Sequence, residues 1–196
     1  METDIGTTIG SIFRNASLLQ TSQFSGCESL ELAEMGPDFK LGQVVSRRIN
    51  LIVISAPEIM MILKIHFNPS EADQLRRIKF PDQCTDPAVA AAKTADYMKE
   101  LMNQLCGRIC RIFQQGDLAL GMSIPLSMHG FYELYTDYTP SDGVLKKFGQ
   151  GWRIQGDFGS LVCTAQVEIM DSNAVNNLKL ADEQPPEGDD GEVEFL

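Results

Sequence analysis

Histidine is almost absent from this chain. His66 and His129 are the only two in 196 residues, and no H-E-x-x-H, G-x-S-x-G or phosphate-loop pattern accompanies them. One reads as the end of a strand and the other as a turn, so both are expected to be surface or capping residues. The five cysteines, at 27, 84, 106, 110 and 163, form no C-x-x-C pair. Cys106 and Cys110 stand one helical turn apart, but no third ligand lies near in sequence, so no metal site is expected. The odd count argues against a disulfide framework. The opening residues, Met1 to Ile5, do not read as a secretory leader, and the expected location is the cytoplasm. No apolar run is long enough to span a membrane, because Ser55, Pro57 and Glu58 interrupt the longest one. Basic residues are also few, 16 against 27 acidic ones, for a net charge of −11. That balance argues against nucleic acid or an anionic membrane as the main partner. Seven of the acids lie in residues 182–196, so the body itself carries only −4.

What remains is enough apolar sequence, 43%, for one domain with a core. Ile9, Ile12, Phe13, Ala16 and Leu19 recur at helical spacing and predict a first helix over 4–20. Residues 21–43 read as irregular, broken by Gly36-Pro37. Strands are expected at 44–55 and 60–67, and a short helix at 71–78 with Ser70 as its cap. Asp86-Pro87 starts a long helix, aspartate at the cap and proline in the first turn, that runs to about Gln114 before Gly116. Further strands are predicted at 118–126, 131–136, 152–155 and 160–170, with a loop at 138–151. The last strand alternates cleanly, Leu161, Cys163, Ala165, Val167 and Ile169 against Val162, Thr164, Gln166 and Glu168. The expected fold class is α+β, an antiparallel β-sheet packed against long α-helices. Three regions follow: an N-terminal helix and irregular extension over 1–43, a domain over 44–170, and an acidic tail over 171–196 that reads as disordered. Val193 to Leu196, at its tip, could serve as a short linear motif.

The long helix carries the candidate site. At about 100° per residue, with Asp96 placed at 0°, Glu100 falls near 40°, Asn103 near −20° and Gly107 near 20°. Met98, Leu101, Met102, Leu105, Ile109 and Ile112 lie on the opposite side. One face is therefore core, while the other offers a carboxylate and an amide to whatever docks there. Gly107 costs roughly 1 kcal/mol of helix propensity but leaves room for an approaching backbone. Acid and amide residues on an outer helix face are usually just solvated, so the stripe alone does not name a chemistry.

Asp96-x3-Glu100-x2-Asn103, with Pro125 standing 22 positions further on, resembles the signature of the CheC/CheX/FliY family of chemotaxis phosphatases. Gln104 to Gly107 is similar to the small-residue step that follows that family's asparagine, and Ser123-Ile-Pro125 with Gly130 resembles its strand ending in a proline and a glycine turn. The likeness covers roughly residues 44–170. Only one E-x-x-N is present, as in the CheX type.

This resemblance implies hydrolysis of the aspartyl-phosphate on a CheY-like response regulator. Glu100 would pair with the regulator's active-site lysine and Asn103 would orient the attacking water. Asp96, Gly107 and Pro125 would contribute to the docking surface, although Pro125 could equally be a strand terminator. No cofactor of the chain's own is implied, since the Mg²⁺ would sit in the regulator's acidic pocket. The resemblance also implies a homodimer through strand exchange or sheet continuation, for which the apolar strand Ile49–Ile54 is the only supporting feature. A second reading stays open: a non-catalytic module that docks a regulator or a flagellar or signalling protein through the same helix face.

Overall fold

The structure is a computed structural model that describes residues 5–36, 46–81, 86–129, 143–175 and 178. The predicted strand at 131–136, Cys84, Gly130 and the tail motif at 193–196 lie outside these residues. In chain order the elements are α1 (Ile5–Ser25), β1 (Glu31–Glu34), β2 (Arg48–Ala56), β3 (Ile59–Phe67), α2 (Pro69–Lys79) and α3 (Pro87–Gln115). There follow β4 (Gly121–Met122), β5 (Leu126–His129), β6 (Lys146–Gly156), β7 (Gly159–Ile169) and the single turn α4 (Ser172–Val175). Among the described residues seven strands form one sheet in the order β1-β6-β7-β3-β2-β4, with β5 also on β2, and every pairing is antiparallel. The class is α+β, as the alternation and the long helical stretch predict.

The register assigns the faces. Ile52 opposes Leu63, Leu63 opposes Ala165, and Gln150 opposes Ala165 in turn. Residues in direct register share a face. The face made by Ile52, Ile54, Met61, Leu63, Cys163, Val167 and Trp152 is closed by Ile9 and Phe13 from α1 and by Met98, Leu101, Met102 and Ile109 from α3. All of these are at most 1% exposed.

Several boundaries differ from expectation. Helix α1 continues past residue 20 to Ser25 and stops at Gly26, whose φ of 73° is open to glycine. The stretch read as irregular contains β1, which pairs Glu31 with Gln155 and Glu34 with Trp152 at the sheet edge. Residues 5–34 thus pack into the same body as the rest. Helix α2 is entered through Asn68, not Ser70, because Pro69 takes the first helical position. Strand β6 begins at Lys146, inside the stretch predicted as loop, because β7 supplies a ladder along its whole length. The expected strand at 118–126 is split. Ser123-Ile124-Pro125 interrupts it, with Ser123 bridging to Val53 through its backbone N–H at 2.9 Å and accepting from the Val53 N–H at 3.1 Å through Oγ. The Ile49–Ile54 strand is not an edge either, since β3 flanks it on one side and β4 and β5 on the other.

His66 is not a surface residue. It is 2% exposed in the middle of the sheet, with Nε2 3.0 Å from Thr164 Oγ1 on β7. Burial, reinforced by the Lys64 ammonium two positions away, lowers its pKa from 6.5 to about 4. The unfolded chain takes up this proton near pH 6.5 while the folded protein refuses it until about pH 4. Stability is therefore full above pH 6.5 and falls as the pH drops toward 4, by on the order of 3 kcal/mol. Urea unfolding of wild type and His66→Gln at pH 7.5 and 4.5 checks this. The wild type is expected to lose clearly more stability than the variant, and parallel losses would show that His66 does not carry the effect.

Candidate functional site

Helix α3 is built to be rigid. Its cap forms as expected, with Asp86 Oδ1 accepting from the Ala88 N–H at 2.8 Å. It runs unbroken for 29 residues, and Gly116 ends it by donating to Phe113 O at 3.0 Å. Met98, Leu101, Met102, Leu105 and Ile109 are all at most 1% exposed. The face opposite is open: Asp96 and Glu100 are exposed, and Asn103 and Gly107 half-buried. A Cβ built on Gly107 would meet nothing within 4 Å. The stripe read from spacing is thus one surface on one helix, held by a core that resists its rotation.

Four of the five predicted site residues come together there. Asp96 also pairs with Lys99, Nζ to Oδ1 3.5 Å, on a side chain that is 78% exposed. An exposed pair of this kind contributes little to stability. Pro125 lies on a different element, in the break between β4 and β5 at the sheet edge, beside exposed Met122, Ile124 and Leu126. Cys106 is fully buried and Cys110 half-buried, and burial pushes both thiols above their usual range. Neither is a reactive thiolate.

Sequence reading missed the neighbours of Glu100. Gln104 Nε2 donates to Glu100 Oε1 at 2.9 Å. Gln20 Nε2 on α1 donates to Gln104 Oε1 at 3.0 Å, and Arg108 Nε donates to Gln20 Oε1 at 3.0 Å. The i, i+4 spacing of Glu100, Gln104 and Arg108 was visible in the sequence. The part that Gln20 plays, 84 positions away, was not.

A cleft of about 350 Å³ lies elsewhere, lined by Thr7, Arg14, Glu34, Gly149 and Gln150 among others. Its polar groups satisfy one another: Arg14 pairs with Glu34 at 3.1 Å and donates to Gln150 Oε1 at 3.1 Å. It shares no residue with the α3 stripe. An enclosed pocket is not what the stripe offers. A carboxylate and a carboxamide on a convex helix can enter another macromolecule's site, and that is their available chemistry. Among the described residues no group of His, Cys, Asp and Glu is arranged to hold a metal ion, and no helix is long and apolar enough to cross a membrane.

No protein-family model and no curated protein matches this sequence. Solved structures do. A CheC-like superfamily protein from Shewanella sp. PV-4 superposes with a TM-score of 0.62 at 15% identity, over 82% of this chain and 97% of that one. The match to the crystal structure of a CheX–CheY–BeF3–Mg²⁺ complex from Borrelia burgdorferi also has a TM-score of 0.62, at 10% identity, over 82% and 97%. The FliM middle domain of Vibrio alginolyticus matches at 0.54 and 9%, over 89% and 99%. These identities establish architecture and leave activity to the residues themselves. The chain carries the CheC/CheX fold.

Proposed function

We propose that the protein is a phosphatase for the aspartyl-phosphate of a CheY-like response regulator, with Glu100 and Asn103 as the residues that enter the regulator's site. One observation carries the reading: both side chains sit on the open face of a helix whose other face is locked in the core. An acyl phosphate is already activated, so no nucleophile is needed from this chain. Positioning of water and electrostatic stabilisation suffice, as with the glutamine that orients water in small GTPases. The Asn103 carboxamide can both donate to and accept from that water without adding negative charge beside the phosphoryl group. The Glu100 carboxylate would pair with the regulator's active-site lysine, giving register to the complex. Mg²⁺ would belong to the regulator's acidic pocket, not to this protein.

One competing reading is a docking module that uses the same helix face without catalysis. A single assay separates the two. A CheY-like regulator of the same cell is charged with a small phosphodonor, and loss of phosphate is followed with and without the protein. Acceleration that depends on Glu100 and Asn103 is expected. Binding without acceleration would make the chain an adapter, and no binding would leave a shared fold only. Self-association is part of the proposal too. The exposed apolar residues Met122, Ile124 and Leu126 on the β4–β5 edge suit sheet continuation into a second copy.

Gly107 gives a test with opposite signs. Gly107→Ala is expected to stabilise the fold by up to about 1 kcal/mol, since nothing crowds the new methyl group. Gly107→Phe should leave the melting temperature near that of wild type but weaken regulator binding at least roughly tenfold, by filling the space on the docking face. Unchanged affinity in Gly107→Phe would move the docking surface off this stripe.

A further inference from the structure

The hydrogen bonds beside Glu100 have a direction, and the two charged ends set it. Arg108 can only donate, so Gln20, 6% exposed between α1 and α3, must present its Oε1 to the guanidinium. Its Nε2 is then left to donate, and Gln104 must present Oε1 to receive it. That orientation leaves Gln104 Nε2 pointing at Glu100, whose carboxylate can only accept. Reversing either amide would face oxygen against oxygen at one end and N–H against N–H at the other. Arg108 also donates to Gln23 Oε1, which ties the cationic end to α1 a second time.

We infer that Gln104, Gln20 and Arg108 form a directional relay that positions the Glu100 carboxylate for docking, and that Gln104 and Gln20 are positioning residues for the proposed reaction. The inference rests on the phosphatase reading of the site. A long glutamate on an exposed helix face otherwise samples many rotamers, and ordering it on encounter costs affinity. The relay settles this conformation before the partner arrives, and it does so from α1, the helix outside the region that carries the sequence motif. Chains of hydrogen bonds in which each group polarises the next are stronger than isolated pairs.

The same contacts could merely join α1 to α3, and one substitution distinguishes the roles. Gln20→Glu keeps both helix-to-helix hydrogen bonds: Arg108 still donates to residue 20, and Gln104 can turn its N–H group toward it. Turned that way, Gln104 presents its oxygen to Glu100. A structural joint survives this change, whereas a positioning relay is reversed. Gln23→Glu adds the same charge on the far side of Arg108 without passing through Gln104, and serves as the control. Calorimetric titration of the phosphodonor-charged regulator into the full chain, alongside melting curves, reads both properties. For Gln20→Glu the expected result is an unchanged or raised melting temperature with regulator affinity roughly three- to tenfold weaker, with KM rising and kcat nearly constant. Gln23→Glu should match wild type. Adding Gln20→Glu to Glu100→Gln should cost nothing further, because the negatively charged acceptor is gone. If wild type binds and Gln20→Glu binds equally well, the relay is only a joint and the inference fails alone. If wild type binds no regulator, the reading of the site fails and takes the inference with it.

Discussion

Asn103→Ala is expected to abolish acceleration of regulator dephosphorylation, lowering kcat by roughly a hundredfold or more, while the protein stays folded. The size follows from what the amide does. A group that holds water in line with an electrophile acts only in the transition state, and removing one such donor or acceptor typically costs about 10²–10³ in rate. The residue is half-buried at the edge of a face whose core residues, Met102 and Leu105, it does not share. Alanine is the better helix former, so stability should rise slightly or hold. Asn103→Asp is the sharper companion. It keeps the shape but places a negative charge beside the phosphoryl group, and it too should be inactive. Glu100→Ala should act differently, raising KM more than it lowers kcat, because its proposed partner is a lysine that sets register. Full activity in Asn103→Ala would remove the stripe from the chemistry.

The stripe was legible because it is local. Capping, an alanine-rich first turn and a 3.6-residue period all agree on α3, and agreement across such signals is what makes a segment readable. Its partners were not, since Gln20 meets Gln104 only after two helices separated by most of the chain have packed. The sheet shows the same division. The alternation in β7 gave its buried face correctly, with Leu161, Cys163, Ala165, Val167 and Ile169 all at most 1% exposed. Thr164 and Glu168, assigned to its other face, are buried as well, at 1% and 5% exposed. Polar residues at alternate positions signal a strand, but they do not reveal whether that second face is covered. Gly149 and Gly151 drew the start of β6 into a predicted loop, because glycine is a poor strand former and only pairing with Gln166 and Thr164 on β7 overrides that preference. The split between β4 and β5 had a visible cause in Pro125, which has no N–H to give a ladder.

Phe13→Ala is expected to destabilise the protein by about 3–5 kcal/mol, enough to unfold a marginal domain of this size. The sequence motif begins far downstream and treats the first 43 residues as an extension, so this loss would not be anticipated from it. The packing dictates otherwise. Phe13 is fully buried, its ring 6.2 Å from that of Trp152 and inclined by 17°. Trp152 is itself fully buried on β6, and Ile9, Ile12 and Ala16 complete the same face of α1. Truncation leaves a cavity where helix and sheet meet, and a stacked aromatic pair is lost with it. The substitution lies well away from the stripe. At a temperature where the variant is still folded its kcat should therefore equal that of wild type, even as its urea midpoint falls sharply. The two measurements together are the test. A stability loss below about 1 kcal/mol would mean that α1 does not close the core as its burial indicates. A loss of kcat in the folded variant would mean that α1 reaches the site by more than holding Gln20 in place.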